Sequence, residues 1–114
     1  PGAEERGNVA YDVLVNQCNM SAVDFMKLVS ENPAKLYGMY PKKGTLAIGS
    51  DGDITIVDKS VEHVLSKESA HTKADYIPYE GISVTGKVRD VILRGHHVVQ
   101  DGSLTESYLG ECIP

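Results

Sequence analysis

Hydrophobic and polar positions follow a helical period in the first third of this chain. Apolar residues recur at the spacing of one helix face, at Val9, Ala10, Val13 and Leu14. Glu4 and Glu5 precede them, where the positive end of a helix dipole favours negative charge. The pattern therefore predicts a first helix in this part of the chain.

A second helix is indicated from Ser21 onward. Ser21 is a good N-cap, and Asp24 stands three residues later in the manner of a capping box. Apolar residues then fall on two sides of the helix, with Ala22, Phe25, Met26 and Val29 in one stripe and Val23 and Leu28 on a second edge. A helix that is apolar on two sides is expected to have neighbours on two sides.

A third, short helix is predicted to begin at Pro33. Asn32 is a favourable N-cap, and proline is tolerated at the first helical position. Lys35 lies near the carboxyl end, where a positive charge is favourable, and Gly38 ends the helix. If Asn32 is the cap, Asn32→Ala should cost about 1 kcal/mol.

From Gly44 onward the period becomes that of a strand. Ile54 and Ile56 point one way while Thr55 and Val57 point the other, which indicates a strand at 54–57. Residues 61–65 are predicted to continue or pair with it. The polar stretch 66–81 is too long for a hairpin turn and is predicted to be a covering loop, fixed by Tyr76 and Tyr79.

Three further strands are predicted towards the end of the chain. They are residues 82–85, 88–93 and 98–100, separated by Gly86, by Arg94-Gly95 and by Asp101-Gly102. The two later turns suit hairpins, because glycine supplies the positive φ that primed turns require. Helices first and strands afterwards predict an α+β segment or a junction between two domains, with the boundary near residues 40–44.

The composition excludes some partners. The chain has 114 residues and a formal charge of −5, whereas phosphate binding needs clustered Lys and Arg, so we predict no nucleic-acid partner. No apolar run approaches the roughly 18 residues of a membrane span, so we predict no membrane partner. Cys18 and Cys112 have neither metal spacing nor a disulfide framework, which is typical of reduced thiols in a cytoplasmic protein.

The four histidines are the first candidates for metal binding: His63, His71, His96 and His97. His96 and His97 are adjacent in a predicted strand, where neighbouring side chains point to opposite faces and cannot easily share one ion. Neither the His-x-His spacing of a strand site nor the i, i+4 spacing of a helical site occurs. The sequence therefore predicts structural or exposed roles for all four.

The carboxylates and possible nucleophiles give no better candidate. Asp51 and Asp53 flank Gly52 as in a cation loop, but the further oxygen ligands of such a loop are missing, so a turn into a strand is predicted. Four other carboxylates are scattered among turn residues and form no pair at catalytic spacing: Asp75, Glu80, Asp101 and Glu106. Motifs for nucleophilic catalysis or phosphate binding are absent. We therefore predict no catalytic, cofactor-binding or metal residue in this segment.

Tyrosines near turns leave two alternatives open. They are Tyr37, Tyr40, Tyr76 and Tyr79. Large amphipathic rings at such positions serve either packing within the chain or contact with another chain.

Four motifs give the chain a resemblance to a known family. They are Pro1-Gly2-Ala3-Glu4, Asn32-Pro33-Ala34-Lys35, Gly49-Ser50-Asp51-Gly52-Asp53 and Asp75-Tyr76-Ile77-Pro78-Tyr79-Glu80-Gly81. In this order the chain resembles the hydantoinases and dihydropyrimidinases, which are cyclic amidohydrolases. The second and third motifs are shared with dihydroorotases and allantoinases, while the last is narrower. Gly52 stands where family members usually carry alanine.

The resemblance implies a longer parent enzyme. Such an enzyme has a metal-dependent (β/α)₈ barrel, in which a binuclear zinc centre activates water to open a hydantoin or dihydropyrimidine ring. Residues 1–43 would be the helical end of that barrel, and residues 44–114 the C-terminal part of a small β-sandwich of antiparallel strands. The zinc ligands would lie upstream of Pro1, so this segment alone is expected to be inactive. Its partners would be the remainder of the parent barrel and sandwich, in a homo-oligomer.

Two other interpretations remain open. The dihydropyrimidinase-related proteins are non-catalytic scaffolds with the same architecture, and their C-terminal parts resemble this chain too. The run at residues 88–95 resembles the enzymes more closely. The length alone would also suit a complete small binding domain.

Overall fold

The structure is a computed structural model that describes residues 1–105 and 109–113. Its helices are α1 (Arg6–Tyr11), α2 (Ala22–Met26) and α3 (Asn32–Leu36), with π-helical turns at Asp12–Gln17 and Lys27–Glu31 and a 3₁₀ turn at Lys67–Ser69. Its strands are β1 (Ile54–Val64), β2 (Ser83–Leu93), β3 (His96–Gln100) and β4 (Ser103–Leu104). Glu106, one of the scattered carboxylates, lies outside the described residues. No helix in the described ranges is long and apolar enough to cross a bilayer.

Both N-terminal helices are confirmed. The first consists of α1 and the π turn that follows it, and Tyr11 is its buried hydrophobic residue. The Tyr11 ring packs edge-on against Phe25, with centroids 5.4 Å apart. At the second helix, the Ser21 hydroxyl accepts the Asp24 N–H at 3.1 Å, which confirms the predicted cap.

The predicted helix restart at Asn32 is wrong. From α2 through the π turn into α3 the backbone stays helical, and Glu31 and Asn32 both have right-handed helical dihedrals. The Asn32 N–H donates to the Lys27 carbonyl, five residues back. In a regular α-helix the Pro33 ring would clash with the carbonyl four residues earlier, and the wider π turn relieves this conflict. Asn32→Ala is therefore no longer expected to cost the energy of a helix cap. Gly38, at φ +70°, ends the helix as predicted.

The chain divides into two compact units, each built from two separate stretches. The first unit comprises Pro1–Phe25 and Asp58–Lys87, and the second comprises Met26–Val57 and the residues from Val88 onward. In the first unit, Leu65, Ile77 and Val84 form a buried core against which Val9, Ala70 and Tyr79 pack. The predicted boundary between residues 1–43 and 44–114 stays a prediction.

The long loop at residues 66–81 is confirmed, but its main anchor differs from the prediction. Tyr79 packs against the core as expected, whereas Tyr76 is 59% exposed. Ile77 between them is buried at 4% exposure and fixes the loop. A branched aliphatic side chain without a polar end fills this apolar site, while the ring of Tyr76 stays in water.

The four strands form one sheet in the order β1-β2-β3-β4. The predicted pieces 54–57 and 61–65 join in β1, which ends at Val64. The predicted break at Gly86 is wrong, because β2 runs through this residue without interruption. Gly86 has φ +109°, which glycine tolerates because it carries no Cβ. The helices and this antiparallel sheet confirm the α+β class.

Both hairpin turns are confirmed. Arg94-Gly95 has φ values of +47° and +80°, and Asp101-Gly102 has +49° and +78°. Each pair connects antiparallel strands whose flanking residues are direct partners. Two-residue loops with positive φ at both positions are type I′ turns, which match the twist of the strands they connect.

Candidate functional site

A charged cluster in the second unit surrounds Lys43. Its ammonium lies 2.9 Å from Asp51 Oδ2 and 2.5 Å from Asp53 Oδ2, and the lysine side chain is only 16% exposed. The hydrogen bonds that the Lys43 ammonium donates to Asp53 and then to Asp51 raise the pKa of Lys43. Burial pushes the pKa of Asp53 upward, but the hydrogen bonds from Lys43 and from the Arg94 N–H outweigh it and hold that pKa below its usual value.

This cluster decides between the two interpretations of the acidic loop. A cation site needs carboxylates that are free to ligate, whereas here the ammonium of Lys43 already occupies them. Asp53 Oδ1 accepts the Arg94 N–H at 2.9 Å, and the Gly52 carbonyl accepts the Gly95 N–H at 3.0 Å. The loop is therefore a turn that leads into β1, as predicted, and the structure shows in addition that it is hydrogen-bonded to the β2–β3 hairpin.

A cleft of about 310 Å³ is lined in part by the Lys43 cluster. Its charged lining comprises Lys42, Lys43, Asp51, Arg94 and Glu111. The Arg94 guanidinium donates to the Leu109 carbonyl and lies 3.3 Å from the Glu111 carboxylate, so it is already paired. A lining with both signs of charge, mostly paired, has no clear preference for an anionic or a cationic ligand.

Gly52→Ala is expected to be tolerated. An added Cβ would lie 3.4 Å from the Gly95 nitrogen and 3.9 Å from its Cα, which are ordinary contacts, and the Gly52 backbone is not left-handed. Alanine also restricts the unfolded chain, so we expect a gain of about 0.4–1 kcal/mol. Urea unfolding followed by circular dichroism measures this, and a loss of stability would contradict it.

A second polar cluster joins the first helix to β2 within the first unit. Asp12 Oδ1 accepts the Asn16 amide at 2.8 Å and the Thr85 N–H at 3.1 Å, while Oδ2 accepts the Gln17 amide at 3.0 Å. The Asn16 amide also donates to the Thr85 carbonyl at 2.9 Å. The Asn16 amide, then the Thr85 N–H, lower the pKa of the Asp12 carboxyl. This cluster was not predicted from the sequence, although the i, i+4 spacing of Asp12 and Asn16 is a signal for a side-chain contact on a helix.

The N-terminal motif contacts the long loop. Glu4 accepts the His71 N–H at 2.8 Å, and its other oxygen lies 2.7 Å from His71 Nδ1. At Gly2, with φ +89°, an added Cβ would meet Pro78 at 3.0 Å. Two of the motifs that carry the family resemblance therefore lie against each other in the first unit.

Glu5 differs from its neighbour Glu4. The sequence placed both at the start of a helix as favourable charges, but Glu5 is only 4% exposed. Neither of its carboxylate oxygens has a hydrogen-bond partner among residues 1–105 and 109–113. A buried carboxylate without a donor is a substantial cost to folding.

Glu5→Met is therefore expected to stabilise the isolated chain, by about 1–3 kcal/mol, because it removes an unsatisfied buried group at similar volume. Glu4→Met is the matched control, since it removes a carboxylate that is paired with His71 and should not stabilise. Thermal and urea unfolding of the two variants give the comparison. Destabilisation by Glu5→Met would show that the carboxylate has a donor in solution.

Two of the histidines lie beside carboxylates. His71 pairs with Glu4, and His97 Nε2 lies 3.2 Å from Asp90 Oδ1. Burial, and then the charge of Lys87, lower the pKa of His63 on β1. Within the described ranges, no three His, Cys, Asp or Glu side chains are grouped so as to hold a metal ion. These residues do not fit the donor set of a binuclear zinc centre.

The tyrosines divide between the two alternatives. Tyr79 packs against the core of the first unit, and the Lys35 ammonium lies 4.7 Å from the ring centre of Tyr40. Packing within the chain is confirmed for Tyr79, whereas Tyr40 contacts Lys35 but is 40% exposed. Tyr37 and Tyr76 are 74% and 59% exposed, so contact with another chain stays a prediction for them.

The comparison with protein families decides which family is present. The sequence profile described as "Amidohydrolase family" matches residues 3–98. The chain belongs to the amidohydrolase family. Among other amidohydrolases, D-hydantoinase from Ralstonia pickettii is 43% identical over 111 residues, which are 97% of this chain and 23% of that protein. D-hydantoinase from Geobacillus stearothermophilus is 42% identical over 101 residues, 89% of this chain and 21% of that protein.

Solved structures agree with this assignment. A D-hydantoinase structure superposes with a TM-score of 0.87 at 43% identity, over 91% of this chain and 22% of that one. Dihydropyrimidinase from Brevibacillus agri NCHU1002 gives 0.85 at 39% identity, over 89% and 22%. The resemblance read from the motifs is confirmed, and this amidohydrolase chain spans about a fifth of the length of these relatives.

Proposed function

We propose that this chain is the C-terminal portion of a hydantoinase- or dihydropyrimidinase-type hydrolase, which opens cyclic amide rings. The observation that carries the proposal is the 43% identity to a D-hydantoinase over 97% of the chain. The structural similarity at a TM-score of 0.87 supports it. Hydantoins and dihydropyrimidines are the proposed substrate class of the parent enzyme.

The proposed role of the segment itself is structural. We assign residues 1–43 to the end of the parent barrel and residues 44–114 to its β-sandwich, which agrees with helices followed by an antiparallel sheet. We propose that the catalytic centre of the parent lies outside this segment, and the lack of a grouped zinc donor set among the described residues supports this. The charged clusters around Lys43 and Asp12 then serve to hold loops and helices in place.

The remainder of the parent barrel and sandwich is the proposed partner of the exposed apolar residues. In the second unit these include Leu36, Tyr37, Leu46 and Ile48, which are 72–110% exposed. Apolar side chains this exposed and this numerous are typical of a surface that another part of a protein covers. We further propose a cytoplasmic location, with which the two unpaired thiols agree. We also propose a homo-oligomer, which sedimentation of the parent protein tests.

Ring-opening assays on two proteins test the proposal. The parent protein is expected to hydrolyse hydantoin or dihydrouracil and to contain zinc by elemental analysis. The 114-residue chain alone is expected to show no turnover above buffer and no stoichiometric zinc, because its described residues assemble no ligand set. Turnover by the segment would contradict its structural role. A folded parent without metal or turnover would favour the dihydropyrimidinase-related scaffolds instead.

A further inference from the structure

We draw no further inference here: the strongest candidate, the exposed apolar surface of the second unit around Leu36, Tyr37, Leu46 and Ile48, carries nothing because the structure does not show what covers it beyond the parent polypeptide already proposed.

Discussion

Gly44→Ala is expected to destabilise the second unit by about 2–5 kcal/mol. Gly44 has φ +85°, where an L-residue costs about 1–2 kcal/mol. An added Cβ would also lie 2.6 Å from Ala34 Cβ, 3.2 Å from the Ser30 carbonyl oxygen and 3.3 Å from Glu31 Cα. Overpacking of this kind adds about 1–3 kcal/mol.

The clash at Gly44 cannot be relieved by a side-chain rotation. Ala34 is 4% exposed and has no rotatable side chain, and the other two contacts are backbone atoms of the same helix. Either the loop or the helix must move. The loop is held further along by the pairing of Lys43 with Asp51 and Asp53, so movement would strain that cluster too.

Gly38→Ala is the matched control for this prediction. Gly38 has φ +70°, and nothing lies within 4 Å of its added Cβ, so this variant carries only the cost of the left-handed backbone. Urea unfolding of both variants by circular dichroism should show the larger loss for Gly44→Ala, and the difference measures the contact with Ala34. Equal losses in the two variants would contradict the close approach of loop and helix.

Asp12→Ala is expected to destabilise the first unit by about 2–3 kcal/mol. Asp12 is buried and accepts three hydrogen bonds, and removing it leaves the Thr85 N–H without this acceptor. Hydrogen bonds to charged groups contribute about 1.5–3 kcal/mol, and an unsatisfied buried donor costs about 1–3 kcal/mol. Asn16→Ala is the milder control, because Asn16 is exposed and Asp12 can still bind Thr85 in that variant.

The same carboxylate predicts how stability depends on pH. Its pKa is lower in the folded chain than its usual value, so the folded state holds this proton less tightly than the unfolded state. The contribution of Asp12 is therefore complete above the unfolded pKa of about 3.9 and is lost as pH falls through the lower folded pKa.

Unfolding free energies measured between neutral pH and about pH 2 test this dependence. Asp12→Asn removes the charge but keeps an oxygen that can accept the Thr85 N–H. It should lower stability at neutral pH and flatten the acid-dependent loss relative to the unmodified chain. An unchanged acid profile in Asp12→Asn would show that other carboxylates account for the loss.

Local features of the fold could be predicted from the sequence because short stretches determine them. The Ser21 cap needs only a hydroxyl three residues before an N–H, and the hairpin at Arg94-Gly95 needs only two residues that accept positive φ. The assignment of Asp51 and Asp53 to a turn also came from local spacing.

The points at which a helix or strand is interrupted were predicted less well. Asn32 and Pro33 locally favour a new helix, yet the helix continues through them by widening into a π turn. Gly86 locally favours a break, yet the strand continues because glycine accepts the required φ. At both positions the backbone adopts a geometry that lets the element continue.

The sequence by itself determined the family and the order of helices and strands. The tertiary structure decided which distant residues meet. Asp12 binds Thr85, which lies 73 positions away, and Asp53 binds Arg94, 41 positions away. The tertiary structure also decided that Glu5 is buried, while its neighbour Glu4 pairs with His71. Such contacts depend on how the whole chain encloses each side chain, which composition and spacing do not contain.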